Sequence, residues 1–175
     1  MEAIIGVVGT LLGTILGWLL ARWNIGKLYI SLDINDEKFY RLGKLGDVSP
    51  TSKGELYSVE FSFVIHLYNS FPINRAIREC ELVFIDFQGK QLKRMAIDDK
   101  ATRRYAAHAT WYDSIGVVNI SGYESKDIDA AVFLQDLDLL YKIAKIEFHY
   151  KNEKREKKRL KYKEISFANI PRVIE

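Results

Sequence analysis

Histidine and cysteine, the side chains that most often do chemistry, are few in this chain and are not spaced as a site. The histidines are His66, His108 and His149, without the HxH or HExxH spacing of metal ligands. Cys80 alternates with apolar residues, which is typical of a buried thiol. We therefore expect no metal ion, no cofactor and no catalytic residue. Spacing alone leaves a zinc site or a Cys–His nucleophile pair open as the alternative.

Other enzyme motifs are also missing from the sequence. Asp98 and Asp99, like Asp136 and Asp138, lie in turn-like segments, where neighbouring carboxylates are usually solvated rather than paired as acid and base. The chain contains neither a GxxxxGK[ST] nor a GxGxxG phosphate loop. The sequence therefore favours a protein that is not an enzyme.

The densest charge lies in residues 151–163, KNEKREKKRLKYK, with eight Lys and Arg and two Glu. This segment has a net charge of +6, whereas the whole chain has only +3. One interpretation is a solvated hairpin whose charges prevent edge pairing. The other is contact with anionic lipid headgroups or, less favoured because aromatic residues are not interleaved, with nucleic acid. The candidate contact residues are Lys154, Arg155, Lys157, Lys158, Arg159 and Lys161.

A second group of cations is scattered along the chain: Arg78, Arg103, Arg104 and His108. These residues are candidates for the lining of an anionic-ligand pocket. Scattered surface charges explain them equally well.

Residues 3–21 contain no charged side chain and are predicted to be a membrane anchor. As a helix they reach about 28 Å, close to the roughly 30 Å of a hydrocarbon core. The alternative, a cleaved signal peptide, lacks a basic start and has Leu19 where a small residue is needed. We expect an anchor over residues 1–23 and one domain over 24–175. Arg22 and Lys27 follow the segment and no Lys or Arg precedes it, so the domain is expected in the cytoplasm and the N-terminus outside.

Small residues share one face of this predicted helix. Gly9, Gly13 and Gly17 form a GxxxGxxxG series, and Gly6 extends the same face. Such a face lets two helix backbones approach closely in lipid, which predicts a homo-oligomer. The frequency of glycine in membrane helices is the alternative explanation. The two threonines on this face are expected to bond to carbonyls four residues earlier.

The remaining residues alternate between apolar and polar in several segments, which predicts strands. These segments are 27–34, 57–68, 77–87, 91–97, 115–120, 141–150 and 159–167. Residues 98–113 lack a period and are predicted to be a loop with at most a short strand. Residues 127–134 are either a strand or the start of a helix, and Asp136 is a possible N-cap of one helical turn. Many short strands predict an all-β sandwich, and the single cysteine excludes an immunoglobulin disulfide.

Residues 61–70, FSFVIHLYNS, are followed by Pro72-Ile73 and then by Leu82-Val83-Phe84. This order resembles the strand, Asn-Ser, Pro-Ile, strand arrangement of immunoglobulin-like domains such as the late-embryogenesis-abundant type. With a glycine-rich helix before the sandwich, the chain resembles small membrane-anchored proteins of Gram-positive bacteria and their prophages. That group has no assigned catalytic residues, so the resemblance transfers none to this chain.

These observations predict a single-pass, membrane-anchored β-sandwich that binds or scaffolds a partner and is not an enzyme. The expected partners are membrane lipid, further copies through the anchor, and an unidentified protein or small ligand. The alternative is a ligand- or partner-triggered effector, for example in antiviral defence, which assembles through the glycine-rich helix and perturbs the membrane.

The predicted topology can be tested with fusions at the C-terminus. We expect alkaline phosphatase fused there to be inactive and a fluorescent protein fused there to be bright, because the basic residues hold the domain in the cytoplasm. An active phosphatase fusion would contradict the orientation, and a mature chain that starts near Arg22 would contradict the anchor.

Overall fold

A β-sandwich follows an N-terminal helix in this computed structural model, which describes residues 2–23, 26–42, 44, 46–52, 54–106, 109–164 and 167. The helices are α1 (Glu2–Trp23) and α2 (Leu137–Leu140). The strands are β1 (Leu28–Ile34), β2 (Lys38–Arg41), β3 (Leu56–Asn69), β4 (Arg75–Asp86), β5 (Gln91–Ala96), β6 (Asp98–Ala106), β7 (Ala109–Ser114), β8 (Val118–Ile120), β9 (Ser125–Leu134), β10 (Ile143–Lys151) and β11 (Lys157–Glu164).

The strands form two antiparallel sheets. The first sheet has the order β1-β3-β9-β6-β7, with β2 also paired to β3. The second has the order β11-β10-β4-β5, with β8 also paired to β4. The prediction of an all-β sandwich is therefore confirmed.

The core lies between the two sheets and is built on the alternation of β3. Phe61 packs on Phe84 of β4 with 5.5 Å between ring centroids, and Phe63 packs on Phe148 of β10 at 6.5 Å. Burying each such side chain contributes about 1.5–3 kcal/mol. The alternate residues of β3 lie on the outer face of the first sheet: Ser58, Glu60 and Ser62.

The turn after β3 is held by the fully buried amide of Asn69. Its Nδ2 donates to the carbonyl of Ile73 at 2.8 Å and to that of Ser121 at 2.9 Å. The backbone of this turn also lies close to the turn that contains Gly122, because a Cβ placed on Gly122 would lie 2.2 Å from the carbonyl oxygen of Pro72. The segment 69–73, which contains the Asn-Ser and Pro-Ile pairs of the resemblance, therefore packs against the turn that contains Gly122.

The side chains described in α1 are those of Gly6 and residues 9–19. The hydroxyl of Thr10 donates to the carbonyl of Gly6, and that of Thr14 donates to the carbonyl of Thr10, both at 2.8 Å, which confirms the prediction for these threonines. Within the part of the chain whose residues are described, no helix is long and apolar enough to cross a membrane.

The prediction of a loop over residues 98–113 was wrong, because β6 and β7 form an antiparallel hairpin there. The pairing shifts register between Asp99 and Arg104, and this irregularity breaks the alternation that would have marked the strands. Residues 127–134 belong to β9 rather than to a helix. Asp136 caps α2, since its carboxylate accepts from the amide of Leu139 at 3.3 Å. The sequence did not predict strand β2, because four residues are too few to show a clear alternation of apolar and polar side chains.

Candidate functional site: an aromatic cleft and a cationic edge

A buried carboxylate organises the outer face of the first sheet. Glu60 of β3 is only 4% exposed. Its Oε1 accepts from the hydroxyl of Ser62 at 2.5 Å and from Nζ of Lys100 at 3.0 Å, and its Oε2 accepts from the hydroxyl of Tyr40 at 2.5 Å. Because Tyr40 belongs to β2 and Lys100 to β6, this cluster ties both elements to β3.

The cluster keeps Glu60 ionised. Burial opposes the charge, but the hydrogen bonds from Ser62, Tyr40 and Lys100 outweigh it and hold the pKa of the carboxyl below its ordinary value. Burial and the neighbouring carboxylate raise the pKa of the Tyr40 phenol. Tyr40 therefore remains a neutral donor, and its ring is held in one position.

An open cleft of about 750 Å³ lies above this cluster. Its floor includes Ser58, Glu60 and Phe133. One wall comes from β2 and the residues around it: Tyr40, Arg41, Leu42, Lys44 and Tyr57. The other wall comes from the β6–β7 hairpin: Arg103, Thr110, Trp111 and Tyr112.

Hydrogen bonds and ring stacking inside the protein fix both walls of the cleft. Buried Arg41 donates from its guanidinium to the carbonyls of Gly54 and Pro50, both at 2.6 Å. Tyr112 stacks on Phe133 with 5.7 Å between centroids and 10° between the ring planes. Such contacts preorganise an aromatic site and reduce the cost of ordering it on binding.

The structure separates the scattered cations that the sequence suggested as a pocket. Arg103 lines the cleft. Its neighbour Arg104 instead forms an ion pair with Asp113 at 2.5 Å, and Arg78 lies on β4 in the other sheet. His108 lies outside the described residues. The sequence missed the aromatic lining, because its residues are far apart along the chain.

The basic segment 151–163 forms the end of β10, a turn and β11. The turn is closed by Asn152, whose Oδ1 accepts from the amides of Lys154 and Glu156. Leu160 and Tyr162 pack toward the core, so the alternate residues of β11 project from the outer face of the second sheet. These residues are Lys157, Arg159 and Lys161.

Part of this charge is neutralised by carboxylates. Lys151 pairs with Glu79, Lys163 with Glu37, Lys158 with Glu156 and Lys161 with Glu164. Among the described residues, four cations of the segment form no ion pair: Lys154, Arg155, Lys157 and Arg159. We call these four residues the cationic edge. Of the six predicted contact residues, Lys158 and Lys161 are thus already paired.

The predicted association face of α1 is open. Gly6, Gly9, Gly13 and Gly17 are exposed, and a Cβ added at any of them would meet no atom within 4 Å. Among the described residues of this chain, none packs against these glycines.

Reactive side chains are not assembled within the described residues. His66 pairs with exposed Asp127 at 2.8 Å, and His149 pairs with Glu147 at 2.8 Å on the opposite sheet. Cys80 is buried as predicted, and burial together with Glu81 raises the pKa of its thiol to about 12, so it is a poor nucleophile. No cluster that could hold a metal ion occurs in this part of the chain.

Comparison with known proteins agrees with this architecture. A family model described as the YopI Ig-like domain matches residues 26–163. The chain belongs to the YopI Ig-like domain family. The match covers the sandwich and begins after α1, so it confirms the immunoglobulin-like part of the expected resemblance. No curated protein matches the chain.

Two solved structures are similar to the chain at 9% sequence identity. One is the X-ray structure of the Northeast Structural Genomics Consortium target SoR45, with a TM-score of 0.37, covering 87% of this chain and 94% of that chain. The other is the putative ApaA protein from Bordetella pertussis, with a TM-score of 0.33, covering 81% of this chain and 92% of that chain.

The buried cluster predicts a pH-dependent loss of stability in Glu60→Gln. At pH 7 we expect the free energy of unfolding of the variant to be about 2–3 kcal/mol lower than that of the wild type. The reason is that charge-assisted hydrogen bonds are lost and Lys100 loses its counterion. Because the folded-state pKa of Glu60 is lowered, its contribution is present above the unfolded-state value and is lost as the pH falls through the folded-state value.

The measurement is urea unfolding of the full chain in detergent, followed by circular dichroism between pH 7 and pH 3. The difference between the wild type and Glu60→Gln should shrink once the pH is below about 4.3. Exposed Glu55 provides the matched control, and Glu55→Gln should change stability by less than about 0.5 kcal/mol. A difference that stays constant with pH would contradict the role of the ionised carboxylate.

Proposed function

We propose that the chain is a non-enzymatic, membrane-anchored binding module that holds a ligand or partner in the cleft. The observation that carries the proposal is the division of the sandwich into two unlike outer faces. The first sheet presents the cleft, and the second sheet carries Lys157 and Arg159 of the cationic edge. With the second sheet toward an anionic leaflet, the cleft opens toward the cytoplasm.

The anchor in this proposal is α1. It contains the uncharged residues 3–21, and only four residues separate Trp23 from Leu28 of β1. Four extended residues span at most about 14 Å, so an anchored α1 would keep the sandwich close to the lipid surface. That closeness gives a weak surface contact a high effective concentration.

The cationic edge supplies a contact of suitable strength. Each cation near an anionic surface contributes about 1 kcal/mol, so four cations give about 4 kcal/mol. This corresponds to a dissociation constant of about 1 mM, which is too weak to recruit a free domain. It is enough to orient a domain that the anchor already holds at the surface.

This orientation predicts selective protection of lysines in the full chain reconstituted in nanodiscs. With anionic lipid at low salt, Lys154 and Lys157 should be acetylated more slowly than with zwitterionic lipid, as measured by mass spectrometry. Concentrated salt should remove the protection, because screening acts within about 8 Å even at physiological ionic strength. Lys44, exposed on the cleft wall, should react equally in both lipids.

A variant tests whether the cationic edge causes the protection. Lys157→Gln with Arg159→Gln should abolish the protection of Lys154, because two of the four cations that contact the lipid are lost. Within the described residues neither side chain forms an ion pair, so the change breaks none there. The control pair is Lys126→Gln with Lys142→Gln, at exposed positions outside the cationic edge, and should preserve it. Equal acetylation of Lys154 in both lipids would rule out the proposed orientation.

A second candidate function is a membrane-perturbing effector that assembles through α1. The open glycine face favours it, because nothing in the described residues covers these glycines. The cleft would then receive the trigger, and association of α1 would follow.

Replacing Gly13 with Leu separates the two candidates. The larger side chain should hold the helices apart and reduce crosslinking in membranes, whereas Leu12→Ala, on the other face, should not. If the chain is an effector, expression should make cells leaky and Gly13→Leu should prevent the leak. A binding module should cause no leak in either form, and unchanged crosslinking of Gly13→Leu would remove the glycine face from both models.

A further inference from the structure

The aromatic side chains of the cleft are the first indication of its ligand. Tyr57 is 54% exposed and Trp111 is 43% exposed, so both present large apolar surface to the cavity they line. The stacked pair of Tyr112 and Phe133 adds further aromatic surface. Planar rings stack on such side chains, and a stacked nucleic-acid base contributes about 1–3 kcal/mol.

The charge in the cleft is the second indication. Two carboxylates line the cleft: Glu60, which is already paired with Lys100, and Asp98, whose Oδ1 accepts from the hydroxyl of Ser114 at 3.1 Å. Arg103 and Lys44 line the cleft, and within the described residues neither forms an ion pair. The planar guanidinium of an arginine matches two oxygens of a phosphate, and a lysine adds a point charge.

Uncharged polar side chains also line the cleft. Gln135 is exposed at the end of β9 and lines the cleft, and Thr110 faces it from β7. A glutamine amide can donate to and accept from the edge of an adenine at the same time. The volume of about 750 Å³ is within the range of sites for ligands larger than a single ring.

We infer that the cleft binds a free purine mononucleotide, with its base on the aromatic walls and its phosphate on Arg103 and Lys44. This inference rests on the proposed role of the cleft as the binding site. It assigns to Arg103 the recognition of the phosphate and to Trp111 the stacking of the base. Arg104, which pairs with Asp113, has no part in it.

Calorimetry with the full chain in nanodiscs tests the inference, using AMP, adenosine and ribose 5-phosphate as probes. AMP should bind at least about tenfold more tightly than adenosine, which lacks the phosphate, or ribose 5-phosphate, which lacks the base. Arg103→Gln should weaken AMP about tenfold, the equivalent of about 1.4 kcal/mol, without changing adenosine. Trp111→Ala should weaken both, and the adjacent control Arg104→Gln should weaken neither.

Several outcomes would overturn the inference. Equal binding of AMP and ribose 5-phosphate would show a phosphate site without base recognition, and equal effects of Arg103→Gln and Arg104→Gln would show non-specific attraction. Tighter binding of a short oligoadenylate than of AMP would show that the ligand is a nucleic-acid strand rather than a free mononucleotide. Absence of binding by every probe, with the lipid-dependent protection of Lys154 intact, would reject the nucleotide and leave the membrane-docked module standing.

Discussion

The ionised carboxylate of Glu60 is the constraint on which the rest of the outer face depends. A buried charge is stable only if donors surround it, and here the donors come from β2, from β3 and from β6. Satisfying this one group fixes the ring of Tyr40 and brings the base of the β6–β7 hairpin onto the sheet. The hydrogen bonds to Glu60 therefore position both walls of the cleft relative to the first sheet.

Strand β3 lets the two sides of the first sheet have different roles. Its odd-numbered residues from Val59 to Leu67 are buried in the core, and the alternate residues Ser58, Glu60 and Ser62 support the cleft. The core face supplies stability through apolar burial, which depends on volume more than on chemistry. The outer face can therefore carry a polar cluster without weakening the core.

Membership of the YopI Ig-like domain family accounts for the sandwich, and the site comes from what is built upon it. The β6–β7 hairpin and the β2 segment form the cleft on one face, and β11 carries cations at the edge of the other sheet. Charges on an edge strand oppose pairing with another sheet, so the cationic edge protects the fold in addition to its proposed role as a lipid contact. The two explanations of the basic segment are compatible.

The sequence by itself determined the elements whose pattern is local. Alternation every two residues identified β1, β3, β4, β5, β10 and β11 and the burial of Cys80, because a side chain's face in a strand depends only on its position. Only the tertiary structure decided the cleft, because its lining extends from Tyr40 to Gln135 and strand pairing brings these residues together. Arg103 and Arg104 show the reason most clearly. They are adjacent and chemically identical, yet one lines the cleft and the other pairs with Asp113, because successive side chains of a strand point to opposite faces, and the irregular register of β6 against β7 hid this strand in the sequence.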